Sequence, residues 1–486
     1  MPAPAEPHLR LVQPHARLDD PHRCDDDGST VRLRRLLYDA LVASDGQGGH
    51  VPALASAWSV DDAARRWRLL LRPGVLAHDG APVDARDVIA SLERARDPAL
   101  GGALGTEGVV AGYLEGVQLR ADVDADGVEV VTIATPRPFA DLLDLLVDLP
   151  VVPQRAHGAF AHAPVGTGRY RAVSVAPGRL ELRRWEGHWA ATESPAADAS
   201  CEPSDDVLVH ATALSVTAEP DAAARVGAVV AGAADVASHV PSALARSHAS
   251  DPRVRLERRA ASVAVVAFFH LHPGRPSPVH DVRVRRALQH ACDAEAMVRE
   301  LCHGYAAPLA GPFPPPHLGV DPSLRPHPHD PAEARALLAE AGHGGGLELC
   351  IDVPERLPDE APALAAMLQR QWAEVGVTLR VRRHADREAY ARAVRDGRYA
   401  DLCVFDSSPA SSFRVLHEKL HSAVAGPWWQ GFHDPEVDSA IDAGAAASDP
   451  VTRREHYRRA YRRVHDAVPW LFLYAPEALW LTARRD

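Results

Sequence analysis

The sharpest chemical motif in the chain is His417-Glu418-Lys419-Leu420-His421, a literal H-E-x-x-H. On a helix, histidines four residues apart share a face and can share a metal ion, while the intervening glutamate activates a metal-bound water. Phe413, Leu416 and Leu420 supply an apolar helical face and Ser412 a cap, so the motif is placed on a helix. A third ligand is not evident, because His433, Asp434 and Glu436 are only loosely placed and the metzincin extension is missing. With 26 histidines in the chain, a chance match is the reading taken. The chain is not expected to be an enzyme, and His417 and His421 stand as the candidate metal ligands. His270 and His272 sit two apart on an expected strand and so share one face, where a structural histidine is the commoner use. His343-Gly344-Gly345-Gly346 mimics an oxyanion loop, but no G-x-S-x-G nucleophile elbow accompanies it. Gly166-Thr167-Gly168 lacks the Lys-Ser/Thr pair of a phosphate loop.

Composition narrows the function classes. At 486 residues the chain is too long for one ordinary core, so two or more lobes are expected. A net charge of −12 argues against a nucleic-acid partner. Lys419 is the only lysine; arginine carries the remaining positive charge, a bias that fits a GC-rich coding sequence better than a binding role. The six cysteines are scattered without a C-x-x-C pair, which supports buried free thiols rather than a zinc cluster or redox motif. No stretch approaches the ~20 apolar residues of a membrane helix. The opening MPAPAEPHLRLV has neither the basic nor the apolar region of a secretory leader.

The elements that must position any site are legible as an α/β pattern. Residues 67–95, WRLLLRPGVLAHDGAPVDARDVIASLERA, read as a strand burying Trp67, Leu69 and Leu71, turns at Pro73-Gly74 and His78-Asp79-Gly80, and a helix capped by Asp84. Leu9 to Val12 reads as a first strand, and Ser29 as the cap of a helix carrying Leu33, Leu36 and Leu37. Pro136 and Pro138 stop the alternating strand GVEVVTIAT. The run VAVVAFFHL is continuous and apolar, as in a buried strand. Beyond it, Asp330 with Pro331 starts a helix that Gly342 ends. Later helices stop at Gly376 and Gly397 and feed the strands VTLRV and ADLCVF. This alternation predicts a mainly parallel sheet with covered faces. A last amphipathic helix carries Tyr457, Ala460, Tyr461 and Val464 and leads to the strand WLFLY.

Residues 67–95 also resemble the signature LRxGVxFHDGxPxxAxDVxxSLxR of the family 5 solute-binding proteins, receptors for oligopeptides, dipeptides and nickel that serve ABC transporters. The resemblance recurs in order at LDDPHRCDDDGSTVRLRRLLYDALV, VPALASAW, PVGTGRYR, RPSPVHDVRVRRALQHACDAEAMV, DPAEARALLAEAG and HYRRAYRRVHDAVPWLFLY. It implies an α/β, bilobal, periplasmic-binding-protein-like fold (type II, cluster C). Residues 1–259 would form lobe I, with 46–160 as an extra subdomain. Residues 260–471 would form lobe II, and 472–486 a return strand to lobe I.

The resemblance implies capture of a short peptide, an amino-acid-like compound or a metal chelate in an interlobe cleft, for an ABC permease. No cofactor is implied, a metal could enter only as ligand, and the chain would be a monomer. The alternatives on the same fold are a cytosolic ligand sensor, a repurposed biosynthetic enzyme and, less favoured, an H-E-x-x-H hydrolase. The implied cleft walls are Arg23, Ser29, His270 or His272, Asp406, Ser407, Ser408, Arg414, His421, Trp428 and Trp429. In peptide-binding members the loop after ADLCVF carries an Asp-Pro-Asp that anchors the peptide amine. Here it reads Ser408-Pro409-Ala410, which points to a neutral or weakly anionic ligand. With no leader visible the protein is expected in the cytosol as encoded, or in the periplasm or at the cell surface if the numbering omits a leader.

Overall fold

The computed structural model describes residues 8–23, 28–101, 108–190, 208, 211–356 and 358–484; Cys24 and Cys201 lie outside the described residues. The chain divides into two compact units, Met1–Arg259 with Ala478–Asp486, and Ala260–Glu477.

In the first unit, residues 67–95 form the elements their pattern predicts. The strand Arg66–Leu71 buries Trp67, Leu69 and Leu71, and Trp67 Nε1 donates to Phe139 O over 3.1 Å. Gly74 and Gly80 take φ of +72° and +81°, values that favour glycine in the two turns. Asp84 then caps the helix Ala85–Arg94 through a capping box with Asp87. The strand sits in a four-stranded antiparallel sheet with Ala55–Val60, Glu129–Ala134 and Gln118–Val123.

The main sheet of this unit places His8–Gln13 parallel to both Ala213–Ala218 and Val236–Ala237. Its core gathers Leu11, Leu33, Leu37, Tyr170, Leu214, Val216 and Trp480. Gly166 and Gly168 belong to that packing. A Cβ on Gly166 would lie 2.0 Å from Leu37 O, and one on Gly168 2.5 Å from Leu37 C. The side chain of His78 bonds both glycines, its Nδ1 accepting from Gly166 N at 3.2 Å and its Nε2 donating to Gly168 O at 2.9 Å. The Gly-Thr-Gly triplet is therefore a close backbone crossing. Ser29 lies inside the helix Gly28–Leu37 rather than ahead of it, so it is not the cap the sequence suggests.

The second unit has a sheet in the order Val377–His384, Leu347–Pro354, Leu402–Ser407, Ala264–Phe269 and the first part of Trp470–Ala483. Leu347–Pro354 is parallel to both neighbours, whereas Ala264–Phe269 is antiparallel to both of its own. The sheet is thus mixed rather than mainly parallel. Helix crossovers join only the three strands from 347 to 407. Ala264–Phe269 and Trp470–Ala483 enter from outside that alternation and are free to run the other way. Every residue of Ala264–Phe269 is buried, as the apolar run predicts. Asp330 caps Pro331–Glu340 and Asp386 caps Arg387–Arg395. Gly342, Gly376 and Gly397 take φ of +87°, +82° and +66° at helix ends.

Candidate functional site

The end of the strand Leu402–Ser407, the loop after it and the next helix hold Asp406, Ser407, Ser408 and Arg414. The helix is Ser412–Lys419, and its cap is Ser411, whose Oγ accepts from Arg414 N at 3.1 Å. Ser412, the expected cap, is the first helical residue. Two charged pairs flank the loop: Arg387 holds Asp406 at 2.9 Å, and Arg414 holds the buried Glu418 at 2.8 Å. Lys419 is buried, and its Nζ donates to Ser407 Oγ over 2.7 Å while lying 5.7 Å from the Trp428 ring centroid. Trp428 takes φ of +63°, a rare conformation for a bulky residue, and its ring lies 6.3 Å from that of Phe405. The carbonyl of Ser408 accepts from Ser262 Oγ at 3.4 Å.

The H-E-x-x-H geometry fails in this setting. The helix ends at Lys419 with Leu420 as its cap, so His421 lies beyond the last turn. The rings of His417 and His421 are 5.8 Å apart, and His417 stacks on Phe413. Both nitrogens of His421 are engaged. Nδ1 accepts from the backbone N–H groups of Ala423 and Val424 at 3.2 and 3.3 Å, which makes Nε2 the donor to Asp442 at 3.1 Å. Glu418 is buried and its Oε1 accepts from Arg414 Nε at 2.8 Å. Among the described residues no group of three or more His, Cys, Asp or Glu side chains is arranged to hold a metal ion. The described residues thus bring no third ligand to His417 and His421.

The structure also separates residues that the sequence analysis groups together. Ala264 pairs with Ser407 and Phe269 with Leu402. His270 and His272 therefore continue from one end of this strand pair while Asp406–Ser408 stand at the other, about 17 Å of strand away. The strand ends at Phe269, so the two histidines lie past it rather than on it. His270 Nε2 donates to Gly397 O at 2.9 Å, and its ring packs on His272 and Tyr399. Burial lowers the pKa of both histidines and keeps them neutral. Trp429 belongs with them, 5.1 Å from His272, whereas Trp428 faces Lys419. In the first unit, Arg23 donates to Gly101 O at 3.1 Å and pairs with Asp19 at 3.3 Å. Ser29 is completely buried and offers no surface to a solute in that unit.

Two residues escaped the sequence reading. Lys419 was visible there only as the single lysine of the chain. Glu360, at the start of the helix Ala361–Ala373, accepts from Tyr474 OH at 2.8 Å, and burial raises its pKa. Nothing in its local sequence marks it.

Residues 49–413 match the family described as bacterial extracellular solute-binding proteins, family 5 Middle. A probable di/tripeptide-binding protein 5 of Pseudomonas aeruginosa (strain UCBPP-PA14) is 28% identical over 467 residues, covering 92% of this chain and 86% of that protein. The dipeptide-binding protein of Escherichia coli (strain K12) is 25% identical over 482 residues, covering 92% of this chain and 84% of that one. The structure of HbpA2 from Haemophilus parasuis aligns with a TM-score of 0.80 at 21% identity, over 98% of this chain and 96% of the other.

Proposed function

The chain belongs to the family 5 bacterial extracellular solute-binding proteins, and from that premise we propose that it captures a short peptide or amino-acid-like solute and delivers it to an ABC permease. The names of the Pseudomonas and Escherichia relatives support a peptide-sized solute. The observation that carries the reading is the loop around Ser407. A hydroxyl, a buried ammonium and an indole meet there at one end of a sheet. Polar groups set among aromatic side chains in this way suit recognition of a solute. We therefore assign the chain a binding role rather than an enzymatic one, and treat H-E-x-x-H as fortuitous. We also propose that it acts as a monomer outside the cytoplasmic membrane. The cytosolic expectation has no support from its family, whose description is extracellular. Fractionation of the native host tests this, and recovery in the cytosol alone would contradict it.

The function is tested by thermal shift against dipeptides, tripeptides, glutathione, free amino acids and Ni²⁺ with histidine. One class should raise the midpoint, since ligand at a hundred times its Kd stabilises by about 2.7 kcal/mol. A chain that hydrolyses a peptide from this panel, or is stabilised by no solute in it, would overturn the proposal.

A further inference from the structure

We propose a further ligand site within the second unit, an open cavity that takes a phosphate-like oxyanion carrying one acidic hydrogen. The cavity measures about 610 Å³, and its lining includes His270, His272, Arg275, Arg382, Arg398 and Tyr399. It stands at the end of the strand pair where Phe269 meets Leu402, away from Asp406–Ser408, and so is separate from the loop around Ser407. Short contacts tie its groups together. The guanidinium of Arg275 donates to Tyr399 O, the Tyr399 ring lies 4.8 Å from the His270 ring, and His270 lies 5.2 Å from His272.

Two features of the wall call for a ligand. The first is charge. Arg275 bonds that backbone carbonyl, and no carboxylate among the described residues pairs with it. Arg382 meets the buried Asp352 through Nε at 2.8 Å and Nη2 at 2.5 Å, which leaves its Nη1 without a partner among the described residues. Arg398 holds Asp396, a carboxylate on the same lining, at 2.7 Å. The second feature is an orphaned imidazole nitrogen. His270 is 4% exposed and its Nε2 donates to Gly397 O, so the neutral ring carries its lone pair on Nδ1. That Nδ1 and the Nε2 of His272 are both buried without a partner among the described residues.

A guanidinium only donates, whereas the lone pair of His270 only accepts. Their common complement is an oxyanion that accepts from Arg275 and Arg382 and offers one O–H to Nδ1. A buried acceptor left without a donor costs free energy, which such a ligand recovers. Phosphate and its monoesters keep such a hydrogen close to neutral pH, because the second proton leaves only at about pH 6 or above. Sulfate has the same shape and lacks the hydrogen.

Calorimetric titration of the full chain at about pH 6 with inorganic phosphate, glycerol 3-phosphate and sulfate tests the site. Phosphate or its ester should bind with a Kd of about 1 mM or tighter, and sulfate at least about tenfold more weakly. Tighter binding of the inorganic ion or of the ester supports the site in either case, and tells a free ion from a monoester. His270→Gln keeps an amide donor for Gly397 O and removes the second ring nitrogen, so it should reduce phosphate to the level of sulfate. Arg275→Gln, at an exposed position, should weaken both anions at least about tenfold. No binding of phosphate or its ester, sulfate bound as tightly as they are, or affinity that either folded variant leaves unchanged would overturn the site. Thermal midpoints show which variants fold, and the exposed Arg275 keeps the test valid if His270→Gln does not. The solute panel contains no phosphate, so the binding role stands or falls separately.

Discussion

Single residues carry two consequences that can be measured. Removing Glu418 opens a cavity and takes a carboxylate from the half-buried Arg414, and breaking one side of a largely buried pair costs about 3 kcal/mol. Glu418→Ala should therefore unfold at clearly lower urea, with no peptide hydrolysis before or after the change. Metal-dependent hydrolysis that disappears in this variant would refute the binding role. Acid should also destabilise each unit through a histidine kept neutral. Burial lowers His22 in the first unit to about 4, and His327 in the second likewise to about 4. The unfolded chain takes up these protons near pH 6.5, while the folded chain waits until about pH 4. Stability is thus complete above pH 6.5 and falls as the pH drops toward 4, by at most about 3 kcal/mol per histidine. Thermal melts between pH 7 and 4 should show the decline, and His327→Gln should flatten part of it.

At the scale of elements, glycines at close crossings and glycines in open helix give opposite expectations. Gly168→Ala would drive a methyl into the backbone of Leu36 to Tyr38 and should cost more than about 2 kcal/mol. Gly227, within Ala222–Val230, has open space around its added carbon. Gly227→Ala should leave stability unchanged or raise it by up to about 1 kcal/mol. Chemical unfolding of the two variants side by side checks both. The contrast also marks what the sequence makes legible. Asp84, Asp330 and Asp386 announce their helices because a cap, an N-terminal proline or an ending glycine acts within one turn of chain. Ser29 and Ser412 mislead because a second candidate or an acidic run adjoins each of them. Which end of a strand a residue occupies depends on pairing with a distant segment. His270 and Asp406 could therefore not be told apart in sequence, though they lie at opposite ends of one strand pair. The path of residues 420–434, which sends Trp428 and Trp429 to different neighbours, is equally non-local.

At the scale of the whole molecule, the chain passes between its units twice, and the final strand Trp470–Ala483 serves both. Its later residues pair with Val236–Ala237, and Trp480 enters the core of the first unit beneath the guanidinium of Arg32. Deleting residues 478–486 should therefore destabilise the first unit, although it lies more than two hundred residues earlier in the chain. Loss of its hydrogen-exchange protection, with the second unit still protected, is the expected result; full protection in the first unit would contradict it. The same strand sets a timetable for biosynthesis. The first unit leaves the ribosome with an open edge at Val236–Ala237 and an unfilled core. It must wait for roughly 220 further residues, on the order of ten to forty seconds at bacterial elongation rates. For that interval the nascent chain exposes a sheet edge and an apolar hollow, which makes the time before Trp480 emerges the natural period for chaperone attendance.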